Sequence, residues 1–410
     1  MNKFKFDNKI NNIFIFKLKM VYIYDNIHGF IEFNSLEKKF LDNKWVKRLK
    51  RIKQLGLLDH VWPCASHSRF EHSLGVSHLA EKYINYLKLN SKNYKINDAD
   101  KLNIKLAGLF HDLGHGPFSH VFDNIVLKKC CNINNKNIIH EIRSRNIVEY
   151  IFKDINLPSN YSSAYMIDSI KEMIEPVSIK SKSVKYNIVN NTINSIDVDK
   201  FDYLLRDPKH IGLDYSFNYN RIFLKSKIID DEIVYDDSIS NDILDLYLTR
   251  YKLHKEIYNH KTAKIIETML ADSLIIYDKF EAFNSLINSE EFIDLDDSIY
   301  SKILHSKNKD LQKCKDIIDR IENRNLYKQI WTGKLDDFDL NNFSDYRESD
   351  LRIINMKFDL CNKNKFPLEK VKFYDKKNEN IKFISNEDLN KLYPNKYEEN
   401  YLLVCSSKLN

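Results

Sequence analysis

A mainly α-helical body followed by a smaller C-terminal α+β lobe is the architecture this sequence predicts. From Leu36 to about Leu274 the apolar residues recur at the three- and four-residue spacing of a helix face. After about Trp331 the spacing changes to alternation. Ile354, Met356, Phe358 and Leu360 then face one way and Asn355, Lys357 and Asp359 the other, which is the period of a strand. The expected division is an N-terminal extension over 1–20, a helical core over 21–335 and the α+β lobe over 336–410.

The extension, MNKFKFDNKINNIFIFKLK and then Met20, is basic and partly apolar, but its run Ile13 to Phe16 is too short for a signal-peptide core. It reads as a disordered, dispensable tail, with Met1 or Met20 as the translation start. The first long helix carries Leu79, Tyr83, Ile84 and Leu87 on its apolar face, and the next carries Leu102, Leu106, Leu109, Phe110 and Leu113. Gly114, Gly116 and Pro117 end that second helix. Two apolar-rich runs around Asp230 and Asp231 predict a hairpin over 226–236. The stretch from Ile243 to Leu270 has no Gly or Pro and reads as one long helix. Val371 to Phe373, Ile381 to Phe383 and Tyr401 to Val404 carry the strand signature of the final lobe.

Composition narrows the class. Hydrophobic residues at 43% and charged residues at 30% are ordinary for a soluble globular chain, and no apolar run approaches the length of a membrane span. Six cysteines without a CxxC pair read as reduced thiols, placing the chain in the nucleus or cytoplasm. A net charge of +6 mildly favours polyanionic ligands, yet the lysines are scattered, so the sequence gives only weak support for nucleic-acid binding.

Chemistry concentrates in Phe110-His111-Asp112-Leu113-Gly114-His115-Gly116-Pro117-Phe118-Ser119-His120, where a histidine and a carboxylate stand side by side at a helix end. Such a pair can grip one divalent ion, which then needs further nitrogen or oxygen ligands. His72, in Ser68-Arg69-Phe70-Glu71-His72, and Asp199, in Ile196-Asp197-Val198-Asp199-Lys200, are the candidates. Either position taken alone fits a core or surface residue as well as a ligand.

The pattern His72, His111-Asp112, Asp199 resembles the HD-domain metal-dependent phosphohydrolases. IYDNIHGFIEF at 23–33, RLKRIKQLGLLDHVWPCASHSRFEHSLG at 48–75, AGLFHDLGHGPFSHVFD at 107–123 and IDVDKFDYLLRD at 196–207 extend it. In this order they resemble the catalytic region of the SAM and HD domain-containing deoxynucleoside triphosphate triphosphohydrolases, from Val21 to about Cys405 and without the SAM module. The resemblance implies an HD-domain catalytic core that hydrolyses a deoxynucleoside triphosphate to deoxynucleoside and inorganic triphosphate. An HD phosphodiesterase or nucleotide monophosphatase needs the same four ligands and is the first alternative. A non-catalytic nucleic-acid-binding protein on the same fold is the second.

What the resemblance implies for single residues is specific. His72, His111, Asp112 and Asp199 hold iron or zinc, with magnesium carried by the nucleotide; the ligand types alone leave the metal open. His115 and His120 contact the α-phosphate region, and His140 with Asp123 handles the proton. Arg69, Lys200, Arg250, His254 and Tyr258 face the triphosphate, the last three as i, i+4 and i+8 of one helix. Gln54, Leu55, Tyr203 and Asp207 surround the deoxyribose, Asp207 taking the 3′-hydroxyl and Tyr258 crowding the 2′ position. Nothing comparable specifies the base.

The family assembles as a tetramer when guanine-nucleotide (GTP) and deoxynucleotide activators occupy sites between subunits, so the resemblance implies a homo-oligomer, dimer or tetramer, here. Asp42, Arg221 and Arg324 match residues of those sites. Val21, Tyr24, Lys50, Asp236 and Ser238 depart from the family pattern, and an acid at 236 is expected to repel a triphosphate, so activation is expected to be altered or lost.

Overall fold

The computed structural model describes residues 20–132, 134–176, 183–362, 365–375, 380–384 and 398–407; the extension over 1–19 lies outside them. Strands β1 (Val21–Asp25) and β2 (Gly29–Phe33) pair antiparallel, from Val21 opposite Phe33 to Asp25 opposite Gly29. The body that follows is helical, and a smaller β-containing region closes the chain, so the predicted fold class holds.

Three helices build the scaffold of the site. Helix Arg69–Asn90 opens on a capping box, the Ser68 backbone N–H and hydroxyl both donating to Glu71 Oε2 at 2.6 and 2.8 Å. It packs against helix Asp98–Phe110 and against helix Val198–Ile211. Asp197 caps the third, its Oδ1 accepting from the Lys200 N–H at 3.1 Å. Trp45, Tyr83, Phe110 and Phe201 are fully buried among these elements. So is Arg48, which donates to the carbonyls of Leu113, at 3.2 Å, and Leu295. Its guanidinium pins the backbone just beyond His111-Asp112, and burial pushes it down to about 9.

Strands β3 (Ser226–Ile229) and β4 (Glu232–Asp236) form the predicted hairpin. Asp230 and Asp231 turn it with φ of 50° and 60°, a left-handed pair that suits the twist of a two-residue hairpin and that Asp tolerates better than most residues. Farther on come β5 (Lys328–Lys334), β6 (Leu351–Asp359), β7 (Lys372–Tyr374), β8 (Ile381–Phe383) and β9 (Glu398–Ser406). β9 lies between β5 and β6, antiparallel to both, while β7 joins β4 in parallel and carries β8 at its far edge. The alternation read in β6 is real: Met356 and Phe358 are buried and Asn355 and Lys357 exposed.

One expectation fails. The stretch 243–270 is not a single helix. Helix Ser240–Leu253 widens into a π-turn at His254–Tyr258, and a new helix starts at Lys261. Asn259 makes the break, its backbone N–H and side-chain amide both donating to the His254 carbonyl at 3.2 and 2.8 Å. An extra residue per turn needs neither Gly nor Pro, so their absence gave no warning.

Candidate active site

His72 sits on the first turn of helix Arg69–Asn90, and His111 is the first residue past helix Asp98–Phe110. Each imidazole is oriented from behind. His72 Nδ1 lies 2.8 Å from Asp202 Oδ2, and His111 Nδ1 lies 2.8 Å from the Gly108 carbonyl. A carboxylate and a carbonyl only accept, so both Nδ1 atoms donate and both Nε2 atoms turn inward.

Those two Nε2 atoms are 3.2 Å apart. Asp199 Oδ1 stands 3.0 and 3.5 Å from them, and Asp112 Oδ1 stands 3.3 Å from His111 Nε2. Burial pushes the His72 imidazolium down, but Asp199, Asp202 and Asp112 overcome it and lift it to about 10. The Asp199 carboxyl is held far below its ordinary range, against burial, by its hydrogen bonds to His111 and His72. The centre therefore favours positive charge. On loss of their Nε2 protons, His72 and His111 together with Asp199 offer two nitrogens and an oxygen close enough to share one divalent cation, and Asp112, its Oδ1 3.3 Å from His111 Nε2, is the residue that would add a fourth ligand.

A second group adjoins the first. Gly114 lets helix His140–Lys153 approach, since a Cβ there would meet the His140 carbonyl at 2.0 Å. The His140 ring consequently stacks on His115 with centroids 3.8 Å apart, and His120 stands edge-on to His115 at 5.1 Å. His115 Nδ1 lies 2.9 Å and His140 Nδ1 3.5 Å from Asp123 Oδ2, while Arg143 grips Asp123 Oδ1. On its other side His115 Nε2 is 3.4 Å from Asp112 Oδ1, so the two groups touch. Burial and the neighbouring His115 push His140 well below its ordinary value and His120 down to about 3. Although burial opposes it, Arg143 and His115 keep Asp123 ionised. With a guanidinium already on the carboxylate, this group suits proton handling better than a second cation.

The connecting loop is strained, because Phe118 and Ser119 have φ of 56° and 57°. Three contacts hold it: Arg69 Nε donates to Ser119 Oγ at 2.7 Å, Ser119 Oγ donates to the Lys53 carbonyl at 2.9 Å, and the Phe118 N–H donates to Asp297 at 2.7 Å.

Beside the two groups lies a cavity of about 410 Å³. Its walls include Gln54, Leu55, Arg69, His120, Tyr203, Asp207, His254 and Tyr258, eight of the residues singled out in the sequence. The Tyr258 hydroxyl donates to Asp207 Oδ2 at 2.6 Å, and His67 Nε2 lies 2.8 Å from Asp207 Oδ1. Lys264, Glu267, Lys357 and Asn124 complete the rim; no motif had marked them.

The cations assigned to a triphosphate all meet carboxylates. Arg69 Nη1 is 2.5 Å from Asp112 Oδ2, Lys200 Nζ is 2.9 Å from Asp197 Oδ2, and Arg250 Nη1 is 3.0 Å from Asp359 Oδ1. His254 lies one α-turn beyond Arg250, its N–H donating to the Arg250 carbonyl, and Tyr258, at the end of the π-turn, packs its ring edge to face on His254 at 5.0 Å.

Asp42, Arg221 and Arg324 lie apart from the cavity lining. Asp42 pairs with Lys38 and with Lys47 at 3.1 Å, Arg221 pairs with Asp242 at 2.7 Å, and Arg324 donates to the His60 carbonyl. Asp236 is buried, capping the Ser238 N–H at 3.0 Å, so the expected repulsion of an incoming triphosphate has no exposed carboxylate behind it.

Sequence reasoning missed Asp202, Arg143 and His67, which orient His72, Asp123 and Asp207. The first two carry a faint local signal. Asp202 follows Asp199 by three residues, as Arg143 follows His140, so each lies one helical turn on. His67 has none.

Paired imidazoles and carboxylates on a helical scaffold, oriented from outside and lying beside a cavity, define the metal-dependent phosphohydrolases of the HD type. Comparison agrees: the HD domain matches residues 69–207 and the HD associated region residues 217–362. A deoxynucleoside triphosphate triphosphohydrolase SAMHD1 homolog of Dictyostelium discoideum is 36% identical over 405 residues, covering 94% of this chain and 77% of that protein. A putative HD domain-containing protein, L394, of Acanthamoeba polyphaga mimivirus is 39% identical over 335 residues, covering 74% and 72%. Human deoxynucleoside triphosphate triphosphohydrolase SAMHD1 is 30% identical over 447 residues, covering 95% and 71%. The chain belongs to the HD-domain phosphohydrolases related to SAMHD1. Among the described residues no helix is long and apolar enough to cross a membrane.

Proposed function

We propose that this chain hydrolyses deoxynucleoside triphosphates at the α-phosphorus, releasing the deoxynucleoside and inorganic triphosphate. The observation that carries the reading is the Tyr258–Asp207 pair on the wall of the cavity that Arg69 and His120 also line. It supplies a sugar-reading carboxylate and a ring that crowds the 2′ position beside phosphate-facing groups. A phosphodiesterase or monophosphatase needs the same metal ligands but not the further row of Arg250, His254 and Tyr258. The names of the relatives from Dictyostelium discoideum and human support the same substrate class.

Bound at His72, His111, Asp112 and Asp199, a divalent ion, iron or zinc, supplies Lewis-acid activation of water and offsets charge building at phosphorus. The rest falls to side chains. Arg69, Lys200 and Arg250 hold the phosphates after exchanging their carboxylate partners for phosphate oxygens. His115 and His120 face the α-phosphate, and neutral His140, next to ionised Asp123, takes part in moving the proton to the departing 5′-oxygen. Magnesium enters with the nucleotide. We further assign the chain an intracellular, homo-oligomeric state, with Asp42, Arg221 and Arg324 as candidate contacts for GTP or deoxynucleotide activators.

The test is to incubate the metal-loaded protein with each deoxynucleoside triphosphate and magnesium, with and without GTP, and to separate the products by ion exchange. Deoxynucleoside plus triphosphate is the expected result. Monophosphate products would transfer the chain to the phosphodiesterase class, and metal-loaded protein without turnover would leave nucleic-acid binding as the reading to test.

A further inference from the structure

Behind His72 lies a closed hydrogen-bond network that ends in the β1–β2 turn. Asp202 is fully buried and receives four donors. His72 Nδ1 and Arg206 Nε, both at 2.8 Å, point to Oδ2; His28 Nε2, at 2.7 Å, and Arg206 Nη2, at 3.0 Å, point to Oδ1. Arg206 is fully buried as well, and its Nη1 donates to Asp25 Oδ2 at 2.8 Å. The other oxygen of Asp25 accepts the N–H groups of Ile27 and His28, each at 2.9 Å.

Every acceptor site on Asp202 is filled, by donors from three side chains. Two of the four donors belong to Arg206, one to the metal-facing histidine and one to the hairpin turn 174 residues away in sequence. His28 makes this one polar contact at the cost of its other nitrogen. Its Nδ1 is buried without a partner, which is tolerable only for a bare acceptor, so Nε2 carries the proton and donates to Asp202.

We propose that the turn of the β1–β2 hairpin is a positioning element of the metal site. His28 and Asp25 fix Asp202 and Arg206, Asp202 fixes the ring of His72, and cation binding is thereby coupled to the order of the turn. The inference rests on reading His72 as a metal ligand. Coupling runs both ways: a turn that steadies His72 raises affinity for the cation, and a bound cation steadies the turn.

The experiment uses the full chain stripped of metal and titrated with Mn²⁺ alone by calorimetry, alongside hydrogen exchange of the peptide containing Ile27 and His28. His28→Ala is expected to lower Mn²⁺ affinity about 10- to 100-fold, the range for loss of a group that orients a metal ligand. His28→Gln, whose amide can donate to Asp202, is expected to restore most of it. In the wild type, Mn²⁺ is expected to slow exchange at the turn, and in His28→Ala it should not. Asp25→Asn, which keeps an acceptor for the two turn amides but weakens the hold on Arg206, carries the test if His28→Ala does not fold, with the same direction of change. Unaltered Mn²⁺ affinity in the folded variants, with no Mn²⁺ effect on turn exchange in the wild type, would overturn the coupling alone. A wild-type chain that binds no Mn²⁺ would overturn the metal-ligand reading beneath it.

Discussion

The Tyr258 hydroxyl donates to Asp207 at 2.6 Å, joining the π-turn His254–Tyr258 to helix Val198–Ile211 across the cavity wall. The pair separates two roles, since the hydroxyl steadies the carboxylate and the ring fills space. Tyr258→Phe is expected to raise KM for deoxynucleoside triphosphates about tenfold, the worth of a hydrogen bond to a charged group, with discrimination against ribonucleotides kept. Tyr258→Ala is expected to narrow the deoxy-to-ribo ratio of kcat/KM about 10- to 100-fold. Steady-state kinetics on a matched nucleotide pair decides this, and an unchanged ratio in Tyr258→Ala rules out the ring as the discriminator.

Exchange of His111 and Asp112 together for alanine takes away one imidazole and one carboxylate from the centre. Metal measured by mass spectrometry in the purified double variant should fall to background, and turnover should drop by about a thousandfold or more. An active, metal-free double variant would refute metal-dependent hydrolysis in this chain.

Asp359 occupies Arg250 through both a side-chain oxygen at 3.0 Å and its backbone carbonyl at 3.1 Å. A polyphosphate that uses Arg250 has to displace the carboxylate. Asp359→Asn is therefore expected to lower KM about fivefold with kcat little changed, corresponding to roughly 1 kcal/mol for a partly exposed pair. Arg250→Ala should move KM the opposite way. If KM stays fixed in both, Arg250 does not meet the substrate.

Burial, reinforced by the Lys82 charge, pushes His78 down to about 4. Between pH 6.5 and 4 the unfolded chain then binds a proton that the folded chain refuses, so this contribution is present above pH 6.5 and lost as pH falls through 4. Its size is on the order of 2 kcal/mol, discounted for partial exposure. Chemical denaturation at pH 7.5 and pH 5 should show a shallower loss of stability in His78→Leu than in the wild type. Parallel slopes would remove His78 from the acid response.

Gly75 faces the same buried network as His72. A Cβ at this position would meet Asp202 Oδ1 at 1.8 Å and Arg206 Nη2 at 2.5 Å. Neither can retreat without leaving its partners, so Gly75→Ala is expected to cost about 3 kcal/mol or more. Thermal melts of the variant give the answer, and a melting temperature within a degree or so of the wild type would mean that helix Arg69–Asn90 shifts freely.

By itself the sequence determined the kinds of element and the chemical types at the centre. Three- and four-residue spacing marks helices Arg69–Asn90 and Asp98–Phe110, and alternation marks β6, because a buried face imprints its period on the chain. Gly114, Gly116 and Pro117 announce where His111 and Asp112 leave the helix, since few other residues stop one so sharply. Tertiary structure alone decided who orients whom. Asp202 reaches His72 across 130 residues, His67 reaches Asp207 across 140, and Asp359 reaches Arg250 across 109. None of these pairings leaves a period in the sequence. Each arises because a buried polar group must find a partner, and only packing determines which partner is near.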